Sequence, residues 1–344
     1  MSYYIYTLFF FFFVYFILAM GLNIQFGQTG ILNFAYIGFV AVGAYVTGAT
    51  SLPASNTGIG TGQHYILGMN LPFPFNLLMG GIVASVLAVF VSFIALRRLR
   101  TDYLAMVLIS LSLVLYDIIN NFVPLFNGPD GLYNIPEPMV GVFHLTSNQF
   151  VGFFAAVTGL ISLILWWFMS RITKSPLGRT FRAIRDDPGV ASALGKNVIK
   201  YQLISMIIGA FFAGIGGGLI IQFGSSFNTS AWLPGETFVV FAVIIVGGVG
   251  NNLGMLVGSL LVETLLVHLP AFLPDIPGHT GLIQYIDAML IGILLWVMLW
   301  FRPQGMVPEK VPTTEKLLKK FGRFQEPETI SSTTTQTAST EVTQ

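Results

Sequence analysis

The chain has no cysteine and little charge: Asp, Glu, Lys and Arg make up 9% of its 344 residues. The missing cysteine excludes disulfides, thiol catalysis and cysteine-ligated zinc or iron–sulfur sites. Soluble domains carry about 25% charged residues, so this chain cannot cover a water-facing surface of its size. No Asp, Glu, Lys or Arg occurs before Arg97. A net charge of +1 leaves no basic footprint, and no nucleic acid partner is expected. The histidines at 64, 144, 268 and 279 are scattered, and no His/Asp/Glu group has metal-ligand spacing. No Ser/His/Asp constellation is readable. The expectation is therefore no metal, no cofactor and no catalytic residue.

What the chain does have is long apolar runs. A helix crosses the hydrocarbon core with roughly 20 apolar residues. The runs at 5–24, 30–50, 75–96, 103–123, 150–170, 201–222, 236–250, 253–270 and 282–301 are candidates. They predict an all-α polytopic bundle of eight or nine spans, with 236–270 either two spans or one broken element. Met1 to Leu22 lacks the basic region of a cleaved signal peptide and reads as a retained first span.

All 16 Lys and Arg residues fall within 97–100, 171–200 and 302–323. Basic loops stay on the cytoplasmic side, which puts the N-terminus outside and the C-terminus in the cytoplasm of a cell-membrane protein. The segments 51–74, 124–149, 223–235 and 271–281 then lie outside, and none carries Lys or Arg. Residues 1–305 form the expected transmembrane domain. Residues 306–344 read as a polar, largely disordered tail, rich in Ser, Thr, Gln and Glu towards its end.

The segment 171–200 is a charged island. Ser175-Pro176 and Asp187-Pro188 are cap-then-proline starts for two short helices, and Gly195 suits the position after a helix end. Leu177, Phe181 and Ile184 form an apolar stripe. Arg179, Arg182 and Arg185 form a basic one. An amphipathic connector on lipid headgroups and a protein-docking element both fit this pattern. A phosphate loop at Gly189–Asn197 is rejected, because its glycines have the wrong spacing and Asn replaces Ser/Thr.

Small residues at Gly214 and Gly218, and at Gly250, Gly254 and Gly258, recur at the spacing that lets helix backbones approach closely in lipid. Two polar, glycine-broken clusters stand apart. One runs from Asn23 through Gln25 and Gln28 to Asn33; the other surrounds Gly247–Asn252. They are read either as part of a translocation pathway or as cytoplasmic turns. Asp117, Glu263 and Asp287 fall within candidate spans, with Asn121 one turn beyond Asp117. Intramembrane acids face a bundle interior or water. They are candidates for a polar lining, for structural hydrogen bonds, or for the ion site of a self-sufficient ion-coupled carrier of a small polar or zwitterionic solute.

Six stretches, taken together, resemble the integral-membrane permeases of branched-chain amino acid ABC importers, M-type subunit. They are Gly21–Phe34, Arg100–Ala105, Asn127–Leu132, Gly178–Asp187 with Ala193–Gly195, Gly247–Gly250 and Phe301–Gly305, in family order. The resemblance implies an ATP-driven importer translocating branched-chain or related amino acids by alternating access. It implies a second permease subunit, two cytoplasmic ABC ATPase subunits and an extracytoplasmic substrate-binding protein, with ATP hydrolysis on the ATPases. It also implies that the ATPases bind Leu177, Gly178, Arg179, Phe181, Arg182, Ala183, Ile184, Arg185, Asp186, Asp187 and Gly195. The apolar stripe would sit in an ATPase cleft, with Arg182 and Arg185 fixing the register.

Overall fold

The computed structural model describes residues 2–53, 63, 65–96, 101–140, 146–267 and 282–309. All regular elements among them are helical, with one isolated antiparallel bridge between Leu132 and Phe227. Helix α1 (Ser2–Asn23) runs on into a π-helical turn, Ile24–Gln28. Then come α2 (Tyr36–Ser51), α3 (Phe75–Ala95) and α4 (Thr101–Asn121). Helix α5 (Ser147–Lys174) leads into the short pair α6 (Pro176–Asp186) and α7 (Pro188–Ala193). Helix α8 (Val198–Gly224) is followed by α9 (Glu236–Gly247) and α10 (Asn252–Ser259), the latter continuing as a π-helix to Val267. Helix α11 (Leu282–Phe301) ends the helical part.

Among the described residues, five helices are individually long and apolar enough to cross a membrane: Tyr3–Gln28, Phe75–Ala95, Tyr103–Asn121, Asn148–Lys174 and Val198–Gly224. The pair Glu236–Gly247 and Asn252–Glu263, bent by 116°, makes a sixth if counted as one. The described residues thus give five or six of the eight or nine spans expected. The 12 residues of α9 reach only about 18 Å at 1.5 Å per residue, against a hydrocarbon core of about 30 Å. Gly248 at φ +118° and Gly250 at φ +83° break the run between the two halves. Helix α2, with 16 residues, also falls short.

Helices α2 and α8 form the centre. Every residue of α2 but Val42 is buried, and 72% of an 18-residue stretch of α8 is buried, against 22% for α4. Their composition explains this. Lipid offers no hydrophobic drive for helices to associate, so close backbone approach supplies the packing. A Cβ on Gly43 would collide with the Gly214 backbone, one on Gly214 would meet Gly80 and Gly81, and one on Gly218 would meet Thr47 and Leu77. Helix α1 covers this centre with aromatic rings, Phe10 stacking on Phe223 at 4.1 Å. The Tyr36 hydroxyl donates to Leu18 O at 2.8 Å. Helices α3, α4 and α5 expose apolar rows that include Phe93, Ile94, Val114, Ile118, Leu163 and Trp167.

Among the described residues, the loops gather in two groups, near the two ends of α8. At one end, Leu132 and Phe227 exchange backbone hydrogen bonds, Ile135 N donates to Ser225 O, and Gln63 pairs with the Tyr133 backbone in both directions at 3.1 Å. At the other end, α6, the turn after α1, the elbow between α9 and α10, and residues 302–309 meet. The chain is ordered past 305 because Met306 N and Val307 N donate to Val246 O and Gly247 O. Residues 306–309 thus pack with the helical part. The expected disorder of the tail concerns residues beyond this point and lies outside the described residues, as do the basic segment 97–100 and the loop 271–281.

Candidate functional site

The island folds as two capped helices. The Ser175 hydroxyl accepts from Leu177 N at 3.2 Å. The Asp187 carboxylate accepts from Gly189 N at 2.7 Å and Val190 N at 3.0 Å. Each cap is followed by proline at the first helical position, which satisfies orphan amides and fixes where the helix starts. Gly195 follows the second helix at φ +78°.

The apolar stripe points inward, contrary to the expectation that it fills an ATPase cleft. Phe181 and Ile184 are fully buried, and Phe181 meets Tyr201 of α8 edge-on at 6.4 Å. Leu177 packs partly buried against the same core. Gly178 is required because a Cβ there would strike the Thr173 backbone. The stripe anchors the island to its own chain, since these side chains find α8 without any partner. The outward face carries Arg179, Ala183, Asp186 and Asp187, together with Val190 at 56% and Leu194 at 76% exposure. Val190 and Leu194 thus leave two large apolar side chains open on the short helix α7 and its C-cap. Sequence reasoning missed both, because α7 is too short to show a periodic stripe.

Arg182 and Arg185 do not project outward either. Arg185 Nη1 donates to Gly27 O at 2.5 Å and to Glu309 Oε2 at 2.8 Å, and Arg182 Nη1 lies 3.5 Å from Glu309 Oε1. Arg185 Nε also pairs with the exposed Asp186 at 3.3 Å. Glu309 escaped notice because its partner Arg185 is 124 positions away.

The two polar clusters meet at this same end. Gln28 Nε2 donates to Gly250 O at 2.5 Å, and Gly250 N donates to Asn23 Oδ1 at 2.9 Å. Asn23 and Asn252 pair at 3.4 Å. Gln25 Nε2 donates to Met206 O at 3.2 Å and accepts from Asn33 Nδ2 at 2.8 Å. Thr29 and Ser205 bond to each other and to Ile24 O. Asn23, Gln25, Gln28 and Asn33 are buried; the Asn23 and Gln28 amides satisfy the Gly250 backbone of the elbow, while Gln25 bonds α8 and Asn33 bonds Gln25 and Ala35 N. Gly250 belongs to this elbow, not to a helix-packing row, since α10 starts only at Asn252. Gly254 and Gly258 do sit on α10, where a Cβ would strike Gly247 and Val243 of α9.

The remaining pathway candidates are scattered. Asp117 and Asn121 are exposed on α4, beside Val114, Ile118 and Phe122, and the Asn121 amide bonds its own helix at Asp117 O. Glu263 is buried within electrostatic reach of Tyr15 and of Glu236, an acid at the start of α9 that the sequence reading passed over. Asp287 lies on α11 and its side chain is outside the described residues. Among the described residues no group of His, Asp and Glu could hold a metal ion.

A family model described as branched-chain amino acid transport system / permease component matches residues 4–299. The chain is 27% identical over 336 residues to a probable branched-chain amino acid transport permease protein LivM of Methanocaldococcus jannaschii, covering 90% of this chain and 94% of the relative. It is 28% identical over 319 residues to the high-affinity branched-chain amino acid transport system permease protein LivM of Salmonella typhimurium, covering 87% and 69%. It is 25% identical over 310 residues to the corresponding LivH protein of Escherichia coli, covering 88% and 93%. No solved structure matches the chain.

Proposed function

The chain belongs to the family of branched-chain amino acid transport system permease components, and on that premise we propose that it moves branched-chain or related amino acids inward by alternating access. It is a multi-pass membrane permease subunit of an ABC transporter and does no covalent chemistry, since ATP hydrolysis lies on partner subunits. Family membership replaces the reading of a self-sufficient ion-coupled carrier.

The end carrying α6 and α7 faces the cytoplasm, and the end carrying Leu132 and Phe227 faces outward. A nine-pass chain with an external N-terminus follows if α2 and both halves of the broken pair each carry the chain across with their flanking segments. An ATPase subunit docks on Arg179, Ala183, Val190 and Leu194, and the partner copy of the ATPase serves a second permease subunit. That second permease packs on the α4 side, because an exposed carboxylate and amide on an apolar helix face, at Asp117 and Asn121, need protein or water beside them. A substrate-binding protein delivers its cargo to the outward loops. ATP-driven closure of the ATPase pair moves the docking helices and shifts the bundle between its two openings, through differential affinity for the two membrane states.

The observation that carries this reading is the two-faced island: capped, anchored by buried Phe181 and Ile184, and open at Val190 and Leu194. The test is recovery of the ATPase with tagged chain extracted in mild detergent. Wild type brings it down stoichiometrically, and Leu194→Asp loses it while the chain stays in the membrane at normal level. Retention of the ATPase by Leu194→Asp and by Val190→Asp removes the docking face.

A further inference from the structure

We propose that Glu309 is a coupling pin: it joins the docking helix α6 to the strap 306–309 that is bonded to the elbow between α9 and α10, so that force applied to α6 reaches the broken helix pair directly. The inference rests on the importer reading above and adds to it a positioning residue outside the docking face. Its side chain is only 15% exposed and spans two arginines of α6, with Oε1 facing Arg182 at 3.5 Å and Oε2 accepting from Arg185 at 2.8 Å. The same Arg185 Nη1 holds Gly27 O of the π-helical turn. Glu309 is in turn held by the strap that carries it. Met306 N and Val307 N donate to Val246 O and Gly247 O, and Asn251 Nδ2 donates to Val307 O and Pro308 O, both at 3.2 Å.

The backbone approach leaves no room for slack. A Cβ on Gly305 would strike Gly248, and one on Gly250 would meet both the Glu309 carboxylate and the Arg185 guanidinium. Arg185 thus ties α6 both to the turn after α1 and to the Glu309 carboxylate, and the strap ties that carboxylate to the elbow. A structural cap on the tail would need only the backbone bonds of the strap. The carboxylate adds a link to α6, the one element of the three that a cytoplasmic partner touches. Charge-assisted pairs of this kind, partly shielded from water, are strong and directional, and a rigid connection between two-state elements is what carries coupling between sites. The pin also accounts for α6 keeping two arginines turned away from its docking face.

The experiment uses the complete transporter, with its own ATPase and second permease, in vesicles, and reads leucine uptake and ATP hydrolysis in the same preparation. Glu309→Gln keeps the shape and removes the charge. The expected result is normal ATPase recovery and continued ATP hydrolysis, with leucine moved per ATP falling about tenfold and Glu309→Asp restoring most of the loss. Because the chain has no cysteine, Arg182→Cys/Glu309→Cys supplies a second test: uptake per ATP is low until a short bismaleimide joins the two positions, and then recovers. Unchanged uptake per ATP in Glu309→Gln overturns the pin. So does loss of assembly in that variant, which makes Glu309 a folding residue only, and so does failure of the cross-link to restore uptake. Failure of the wild-type complex to form would instead count against the importer reading itself.

Discussion

Glycine decides the close contacts in this molecule, and the reason differs from site to site. Gly43 is needed because the backbones of α2 and α8 touch there. Gly43→Val should force the helices apart and lower the thermal midpoint of the detergent-solubilised protein, by overpacking worth about 1–3 kcal/mol. Gly250 is needed for conformation as well as space, at φ +83°. Gly250→Ala should cost about 1–2 kcal/mol of backbone strain alone and also press on Glu309, so uptake should fall along with stability. Amide side chains act on the same scale. Gln28→Ala leaves the buried Gly250 O without its donor and should destabilise by about 1–3 kcal/mol, measured by the same melt. Little of this was legible beforehand: Gly214 and Gly218 could be read as packing residues from their spacing, but nothing in the sequence placed Gly43 or Gly80 opposite them.

Among elements, the short helices α6 and α7 were the most legible, because their signals are local. Ser175-Pro176, Asp187-Pro188 and Gly195 each act within a few residues, and the caps form as expected. Which way the stripe faces was not legible, because an amphipathic helix shows that it has an apolar face but not what covers it. Here α8 covers it, with Tyr201 against Phe181. The two faces predict opposite phenotypes. Phe181→Ala should lower the melting temperature by opening a cavity, at a cost of about 3–5 kcal/mol, with its effect on ATPase recovery following from misfolding. Leu194→Asp should leave the melt unchanged and lose the ATPase. The broken pair α9–α10 was half legible. Gly247-Gly248-Val249-Gly250 marked an interruption, but whether two short helices count as two spans depends on depth, which periodicity does not encode.

For the whole molecule, the distribution of Lys and Arg predicts which loops share a side of the membrane. The convergence of residues near 27, 185, 250 and 309 was not foreseeable, since it depends on contacts such as those of Arg185 with Gly27 and Glu309, 158 and 124 positions apart. Orientation has a direct check in a chain without cysteine. A membrane-impermeant maleimide added to intact cells should label Glu137→Cys and leave Lys196→Cys unlabelled until the cells are opened; the reverse pattern would invert the proposed topology. The measurement that bears most directly on the whole account is leucine accumulation by sealed vesicles holding the purified complex. Accumulation that requires ATP on the α6–α7 side and survives an uncoupler is the predicted result. Accumulation by this chain alone, driven by an ion gradient and abolished by the uncoupler, would contradict it.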